Sequence, residues 1–339
     1  MTPEDRFVDR LREAITGSDD LVVGPGDDAA VFRSEGLLVV TTDTLVERVD
    51  FLTGEDRARL GRRAMSVALS DLAAMGAWPA FALLTIGFPE TSAEDLPLEI
   101  AVAAAGRARE FGAVLAGGDL TRADQTFVSV AVWGRPTGKP IRRTGAKAGD
   151  AVFLSGWPGE ASAGLALARA LAGLPRVASG TPWAPEELAA PDSTRLLAAY
   201  REPEPRLALG RALGSGGLAT AAIDVSDGLG MDAARLARAS AVRLVIESDS
   251  LPLSPALRSF AGVAGVDPVE TALGGGDDYE LLFSVSPAHA GRFADPPADW
   301  GVEVRRIGRV EPGDGVFLEG EEGLRPVGNR GFDHFGGPR

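Results

Sequence analysis

Aspartate recurs in this chain at the edges of apolar, β-branched runs and beside glycine, and that repetition limits what the chain can fold into. Asp27 and Asp28 follow Gly26 in GPGDDAAVF (24–32) and Asp43 sits in VVTTDTLV. Asp119 follows Gly117-Gly118 in AVLAGGDL, Asp224 and Asp227 flank a serine in IDVSDGL, and Asp277-Asp278 lead into YELLF after three glycines. Any fold that buries the apolar runs must leave these acids in turns or compensate their charge, because a buried carboxylate needs a partner. Asp71 makes the demand sharper. It lies inside ALSDLAAMGA, a helical segment, with Val67, Ala68, Ala74 and Met75 at helical spacing. Caps and turns do not sit in mid-helix.

The periodicity divides the chain into strands and helices. Residues 4–16 read as an amphipathic helix, 39–46 as a strand, and 56–76 as a helix with Leu60, Ala64, Ala68, Leu72 and Met75 on one face. Residues 81–88 read as a strand, 93–111 as a helix, 113–120 as a strand ending in a Gly-Gly-Asp turn, and TFVSVAVWG (126–134) as an alternating strand. The glycine-, proline- and base-rich stretch GRPTGKPIRRTGAKAG (134–149) marks a boundary, which we set between domains 1–138 and 139–339. In the second half, strands are expected at 151–156, 243–248 and 279–285 and a helix at 160–173. Residues 182–192 read as a loop, 193–213 as a helix interrupted near Pro203 and Pro205, and 218–240 as strand, turn and helix. Asp232, early in that helix, reads as an acid complementing the helix dipole.

Composition closes off several chemistries. The chain has 339 residues, long enough for two cores, and 45% hydrophobic residues, so it is globular. It has no cysteine and two histidines, His289 and His334. Disulfides, thiolate metal sites, iron–sulfur clusters and cysteine nucleophiles are thereby excluded. Carboxylate is what remains in quantity, and all-oxygen ligand sets suit hard cations such as Mg²⁺. A net charge of −14 argues against a nucleic-acid partner. No apolar run reaches the roughly 20 residues of a membrane span. The charged start MTPEDRFVDR lacks a signal-peptide core, which leads us to expect a cytoplasmic protein. GRPTGKP resembles a P-loop but has too few residues between its glycines and proline in place of Ser/Thr. IDVSDGL lacks a nucleophile elbow.

Taken singly, each aspartate is most simply a turn residue or a cap. Taken together, acids beside glycines would repel one another unless cations bind. Gly117-Gly118, Gly274–Gly276 and Gly24-Pro25-Gly26 let backbone N–H groups approach a phosphate. Carboxylate, Mg²⁺ and phosphate form the usual arrangement of a nucleotide site.

GDDAAV, TTDTLV, SDLAAMGA, GGDLTR, IDVSDGL and GGDDYELLF, in that order, resemble the thiamine-monophosphate kinase family, within the superfamily of aminoimidazole ribonucleotide synthetase and selenophosphate synthetase. The resemblance runs from about residue 4 to GFDHF (331–335). It implies a two-domain α/β (α+β) PurM-like fold, with the N-terminal sheet forming a shared barrel in a homodimer and ATP with several Mg²⁺ between the domains. It also implies phosphoryl transfer from ATP to thiamine monophosphate, giving thiamine diphosphate. By resemblance Asp28, Thr41, Thr42, Asp43, Asp71, Asp119, Asp224 and Asp227 form the metal shell. Gly118, Asp119, Arg143 and Ser226 contact the nucleotide, Asp43, Asp119, Arg143 and Asp227 serve catalysis, and Asp50, Asp277 and Phe332 face the substrate. The sequence departs from the family at two of these. Asp50, in VERVDF, replaces a histidine, and Asp277, in GGDDYEL, replaces a glutamate. Other readings are a superfamily enzyme with a changed acceptor, or a non-catalytic thiamine-phosphate or nucleotide binder. The lack of cysteine removes the selenophosphate synthetase and hydrogenase-maturation types.

Overall fold

The computed structural model describes residues 21–23, 30–34, 36–93, 95–174, 183–328 and 331–332. The helix expected at 4–16 and the pair Asp27-Asp28 lie outside the described residues. Two mixed sheets carry the fold. The first comprises β1 (Leu21–Val23), β2 (Ala30–Ser34), β3 (Gly36–Val46), β4 (Ala77–Phe88), β5 (Val114–Arg122) and β6 (Phe127–Pro136), in the order β1-β2-β3-β6-β4-β5. Helices α1 (Arg57–Ala74) and α2 (Leu96–Glu110) cover one face. The β4–β5 pair is parallel, and α2 is the helical crossover that such a pair requires. The alternation of β6 shows why the sheet lies as it does. Val128, Val130 and Val132 are buried towards the helices, while Ser129, Ala131 and Trp133 point to the other face, half-buried. Helix α1 starts on Asp56, whose side chain accepts from the Arg59 N–H at 2.8 Å, and it ends before Gly76 at φ +67°.

The second sheet comprises β7 (Ala151–Ser155), β8 (Ala219–Val225), β9 (Arg243–Glu247), β10 (Glu280–Val285), β11 (Val304–Glu311), β12 (Gly315–Gly320) and β13 (Gly323–Pro326), in the order β13-β12-β9-β11-β7-β10-β8. Its helices are α3 (Glu160–Leu171), α4 (Ala190–Arg201), α5 (Leu207–Ser215), α6 (Leu229–Ser240), α7 (Pro255–Ala264), α8 (Pro268–Gly274) and the short α9 (Pro287–Ala290). Every residue of β10 is buried, so both sheet faces are covered. Leu281 and Phe283 join a core shared with Met65, Leu69 and Leu72 of α1 and with Leu207 and Leu213 of α5. Leu282 joins a separate core with Leu229 and Leu257. Helix α1 is thus a principal element of the docking between the two halves, beside the packing of α5 on β4.

Three expectations need correction. The Gly-Gly-Asp of 117–119 is not a turn; β5 continues through it to Arg122 because β4 pairs along its whole length. Residues 182–192 are not all loop, since a 3₁₀ turn occupies Pro185–Glu187 and α4 starts at Ala190. Helices α7 and α8 follow residues for which no element was expected.

Candidate active site

The site lies where α1 crosses the ends of β3 and β8. Asp71 faces β3, and the Thr41 hydroxyl donates to its Oδ2 at 2.5 Å. Asp43, two residues along β3, shares the face of Thr41, while Thr42 between them points to the opposite face and is exposed. One helical position before Asp71, the Ser70 hydroxyl donates to Asp224 Oδ2 at 2.7 Å. Asp224 is only 4% exposed; it lies on the face of β8 shared with Ala222, opposite Leu281 of β10. Residues of β3, α1 and β8, some 180 positions apart in sequence, therefore meet at one seam.

Three backbone segments converge beside it. The Asp277 N–H donates to the Ser226 carbonyl at 2.7 Å and the Phe332 N–H to the Asp227 carbonyl at 2.9 Å. A Cβ on Gly276 would stand 2.5 Å from the Ser226 oxygen, so the approach requires glycine. Asp227, Ser226, Asp277 and Phe332 are thereby brought together. Arg143 belongs to the same region: the neighbouring Arg142 carbonyl accepts from Ala222 of β8 at 3.0 Å, and the Arg143 charge acts on Asp232. Asp277 Oδ2 accepts from Arg63 at 3.1 Å and Oδ1 from the Tyr279 hydroxyl at 3.0 Å. Burial first, then Asp277 and also Asp43, push the Tyr279 hydroxyl well above its ordinary pKa, which keeps it a donor at neutral pH. The Asp50 carboxylate turns back to its own loop and accepts from the Val46 N–H at 2.8 Å.

Gly118 and Asp119 stand apart within one chain. Gly118 is level with Asp43 across the sheet, but three strands away, about 14 Å at ordinary strand spacing. Asp119 falls in the next row, with Thr85, Ser129 and Thr44, on the face turned away from the helices. Both line a cavity of about 1090 Å³ between β5 and α2, walled by Leu84, Ile86, Pro97 and Ala101. Asp28 lies outside the described residues.

The donor set is all oxygen. Among the described residues no group of three or more His, Asp or Glu encloses a metal position. Mg²⁺ does not need one, because it takes one or two carboxylates and fills its remaining positions with phosphate oxygens and water. Asp71 with Thr41, and Asp224, fit that requirement.

The two halves match the family models "AIR synthase related protein, N-terminal domain" over residues 26–135 and "AIR synthase related protein, C-terminal domain" over 147–321. The chain is 34% identical to the thiamine-monophosphate kinase of Rhodopirellula baltica over 93% of this chain and 91% of that protein. It is 35% identical to the enzyme of Aquifex aeolicus over 91% and 92%. The chain belongs to the thiamine-monophosphate kinase family. Its fold superposes on that of AaThiL complexed with AMPPCP and TMP with a TM-score of 0.80 at 30% identity, covering 98% of this chain and 96% of that one.

Within this family member, several site residues lay beyond the sequence reading. Asp232, expected only to complement a helix dipole, is 1% exposed. It accepts the N–H groups of Ser226 and Asp227 at 3.1 and 2.9 Å and pairs with Arg235, which also holds the Asp227 carboxylate. Burial, then the Asp227 charge, raises its pKa. Asp278 turns away from the cleft and caps the start of α3 through the N–H groups of Gly159 and Ala161. Arg63 and Tyr200 carried no motif at all, and Ser70 lay in SDLAAMGA without a role assigned to it. The position of an acid in the first helical turn could have flagged Asp232; partners up to 214 residues away left no local signal for Arg63.

Proposed function

We infer that the protein transfers the γ-phosphoryl group of ATP to thiamine monophosphate, forming thiamine diphosphate and ADP. The observation that carries this is the meeting of Thr41–Asp71, Ser70–Asp224 and the 226–227, 277 and 332 segments at one seam, in a chain related to these kinases over nearly its whole length.

The attacking group is a phosphate oxygen. A phosphate monoester has its second pKa near 6, so it is mostly dianionic at neutral pH and needs no general base. This suits a chain with no cysteine and two histidines. The task left to the protein is to bring two anions together in line. We assign Asp28, Thr41, Thr42, Asp43, Asp71, Asp119, Asp224 and Asp227 to hold Mg²⁺, with Thr42 acting through its backbone. Bound Mg²⁺ screens the phosphate charges and orients the transfer. Arg143 and Ser226 hold the nucleotide phosphates, and Gly118 and Asp119 contact the nucleotide from β5. Asp43, Asp119, Arg143 and Asp227 serve the transfer directly. Asp50, Asp277 and Phe332 bound the acceptor, whose thiazolium is cationic and favours an acidic pocket.

The division between domains falls at 138/139, in the stretch that neither family model covers. The free face of the first sheet exposes Phe81 at 40% and Leu83 at 39%, with Phe81 stacked on Trp133 at 5.4 Å. A patch of this kind suits a subunit interface, and we assign it to a homodimer. Among the described residues no helix is long and apolar enough to cross a membrane, in keeping with a cytoplasmic enzyme.

The test is ADP release with Mg²⁺-ATP and thiamine monophosphate, thiamine or formylglycinamidine ribonucleotide as acceptor. Turnover confined to thiamine monophosphate and lost in Asp43→Asn is expected. ATP binding without that turnover would refute the assignment and point to another acceptor.

A further inference from the structure

The chain contains only two tyrosines, and both stand at one buried arginine. Arg63 of α1 is 2% exposed, and its guanidinium lies 4.3 Å from the ring centre of Tyr200, itself fully buried on α4. Arg63 Nη1 donates to the Asp50 carbonyl at 2.9 Å and Nη2 to Asp277 Oδ2 at 3.1 Å. Tyr200 also reaches the Asp50 carbonyl, at 3.4 Å. Tyr279 holds the other Asp277 oxygen. One side chain therefore ties together Asp50, from the first half, and Asp277, from the second. These are the two acceptor-side positions at which the sequence departs from its family's motifs.

Energetics give the tie its direction. A buried guanidinium is stable only where its charge is compensated; the Arg63 Nη atoms are used on Asp50 and Asp277 while its Nε stays buried without a hydrogen bond, so the charge of Asp277 carries the compensation. The Asp277 side chain, 29% exposed, is the partner that also reaches the cleft. It sits on strained backbone: Asp277 has φ +67° and Tyr279 φ +51°. Non-glycine residues hold such angles only where the surroundings impose them. Arg63 and Tyr279 are the groups that hold this carboxylate.

We propose that Arg63 is a positioning residue for acceptor selection, matched in length to Asp277. Helix α1 packs in one core with Tyr279, Leu281 and Phe283, the end of the 274–279 loop and the strand that follows it, and that packing fixes the gap between helix and loop. A long base meets a short acid across it. Lysine ends in a compact point charge on a shorter reach, and glutamate is one methylene longer than aspartate. Either change alone misplaces the carboxylate that faces the cationic ring of the acceptor, and both together restore the span. The proposal rests on the function inferred above.

The experiment compares the full-length protein with Arg63→Lys, Asp277→Glu and the double variant in steady-state kinetics, varying thiamine monophosphate and ATP separately, together with melting temperatures. Each single variant is expected to raise the KM for thiamine monophosphate by about tenfold, the effect of one weakened charge-assisted hydrogen bond. The kcat and the KM for ATP should stay within about twofold, and the double variant should recover the KM to within about threefold of the parent. Additive losses in the double variant would overturn the proposal. So would equal rises in both KM values, or a fall in melting temperature with unchanged kinetics, which mark a structural role alone. Absence of turnover by the parent protein would refute the functional reading instead. Melting temperatures then judge the pair: recovery in the double variant supports matched lengths, and additive losses overturn them.

Discussion

Gly210 of α5 tests the claim that α1 docks the two halves. A Cβ at Gly210 would stand 2.2 Å from the Ala73 carbonyl oxygen and 2.8 Å from its carbonyl carbon and Cα. Carbon and carbonyl oxygen settle at about 3.3 Å or more, so α1 and α5 must part locally by about 1 Å. Backbone faces backbone, and no side chain can swing aside. Overpacking of this kind costs about 1–3 kcal/mol, the upper end where backbone must move. Alanine returns about 0.5–1 kcal/mol of helix propensity, leaving a net loss of about 2 kcal/mol. At about 2–4 °C per kcal/mol for domains of this size, Gly210→Ala should melt about 4–8 °C below the parent protein. Because α1 carries Arg63, Ser70 and Asp71, kcat/KM should also fall, by about 10–100-fold for displacements of this order. Gly262→Ala is the matched control. It is the same substitution in the exposed face of α7, where a Cβ would meet nothing within 4 Å. It should raise the melting temperature by about 1–4 °C at unchanged activity. Differential scanning calorimetry reads both. Gly210→Ala melting at or above the parent, or Gly262→Ala below it, would refute the reasoning.

Asp71→Asn keeps the shape of the side chain and removes its charge, so kcat should fall by at least about 100-fold while the melting temperature holds or rises, the separation expected of a charge kept for chemistry. Ser70→Ala strips a donor from the buried Asp224, and urea titration of the ligand-free protein should show a loss of about 1–3 kcal/mol. Glu110 is held down to a pKa of about 2, chiefly by Arg62 and then by Arg107. A depressed carboxylate contributes stability present above its unfolded pKa and lost as pH falls towards the folded one. Glu110→Gln should therefore flatten the stability profile between about pH 5 and 2, by about 0.5–1 kcal/mol for so exposed a pair. An unchanged acid limb would show that the pair contributes nothing.

What could be read in advance was whatever is local. The alternation of FVSVAVWG and the helical spacing of Leu60, Ala64, Ala68 and Leu72 specify β6 and α1 because packing and local preference agree there. Asp71 stood out because an acid amid apolar helix neighbours demands a partner; the Thr41 hydroxyl that donates to it lies on a strand 30 residues earlier. GGDLTR misled because glycines beside an acid suggest a turn, whereas Gly118 is needed for close strand pairing: a Cβ there would lie 1.7 Å from the Leu84 oxygen. Helices α7 and α8 did announce themselves, through Ser254-Pro255 and Asp267-Pro268, whose side chains accept from the Leu257 and Val269 N–H groups. Both are short, so apolar period alone says little. Arg63, Tyr200 and Arg235 were illegible because an arginine or tyrosine on a helix gains meaning only from what the opposing element presents.

The acids of the seam divide by the donors that hold them. Asp71 and Asp224 receive hydroxyls, from Thr41 and Ser70. Asp227, Asp232 and Asp277 receive guanidinium groups, from Arg235 and Arg63, and Asp277 takes the Tyr279 hydroxyl as well. A hydroxyl satisfies a lone pair and fixes a rotamer without cancelling charge, whereas a guanidinium cancels it. The hydroxyls on Asp71 and Asp224 therefore fix those carboxylates without consuming their charge, whereas the arginines on Asp227, Asp232 and Asp277 offset it. On this division Arg235 is the side chain that must yield if Asp227 is to serve a cation during turnover, while Arg63 must stay. The same chemical pair, arginine and aspartate, thus has opposite consequences at Asp227, whose arginine lies 8 residues away, and at Asp277, whose arginine lies 214 residues away in the first half of the chain. The difference lies in burial: Arg63 is enclosed at 3% and cannot leave, whereas Arg235, at 14%, keeps a route to solvent.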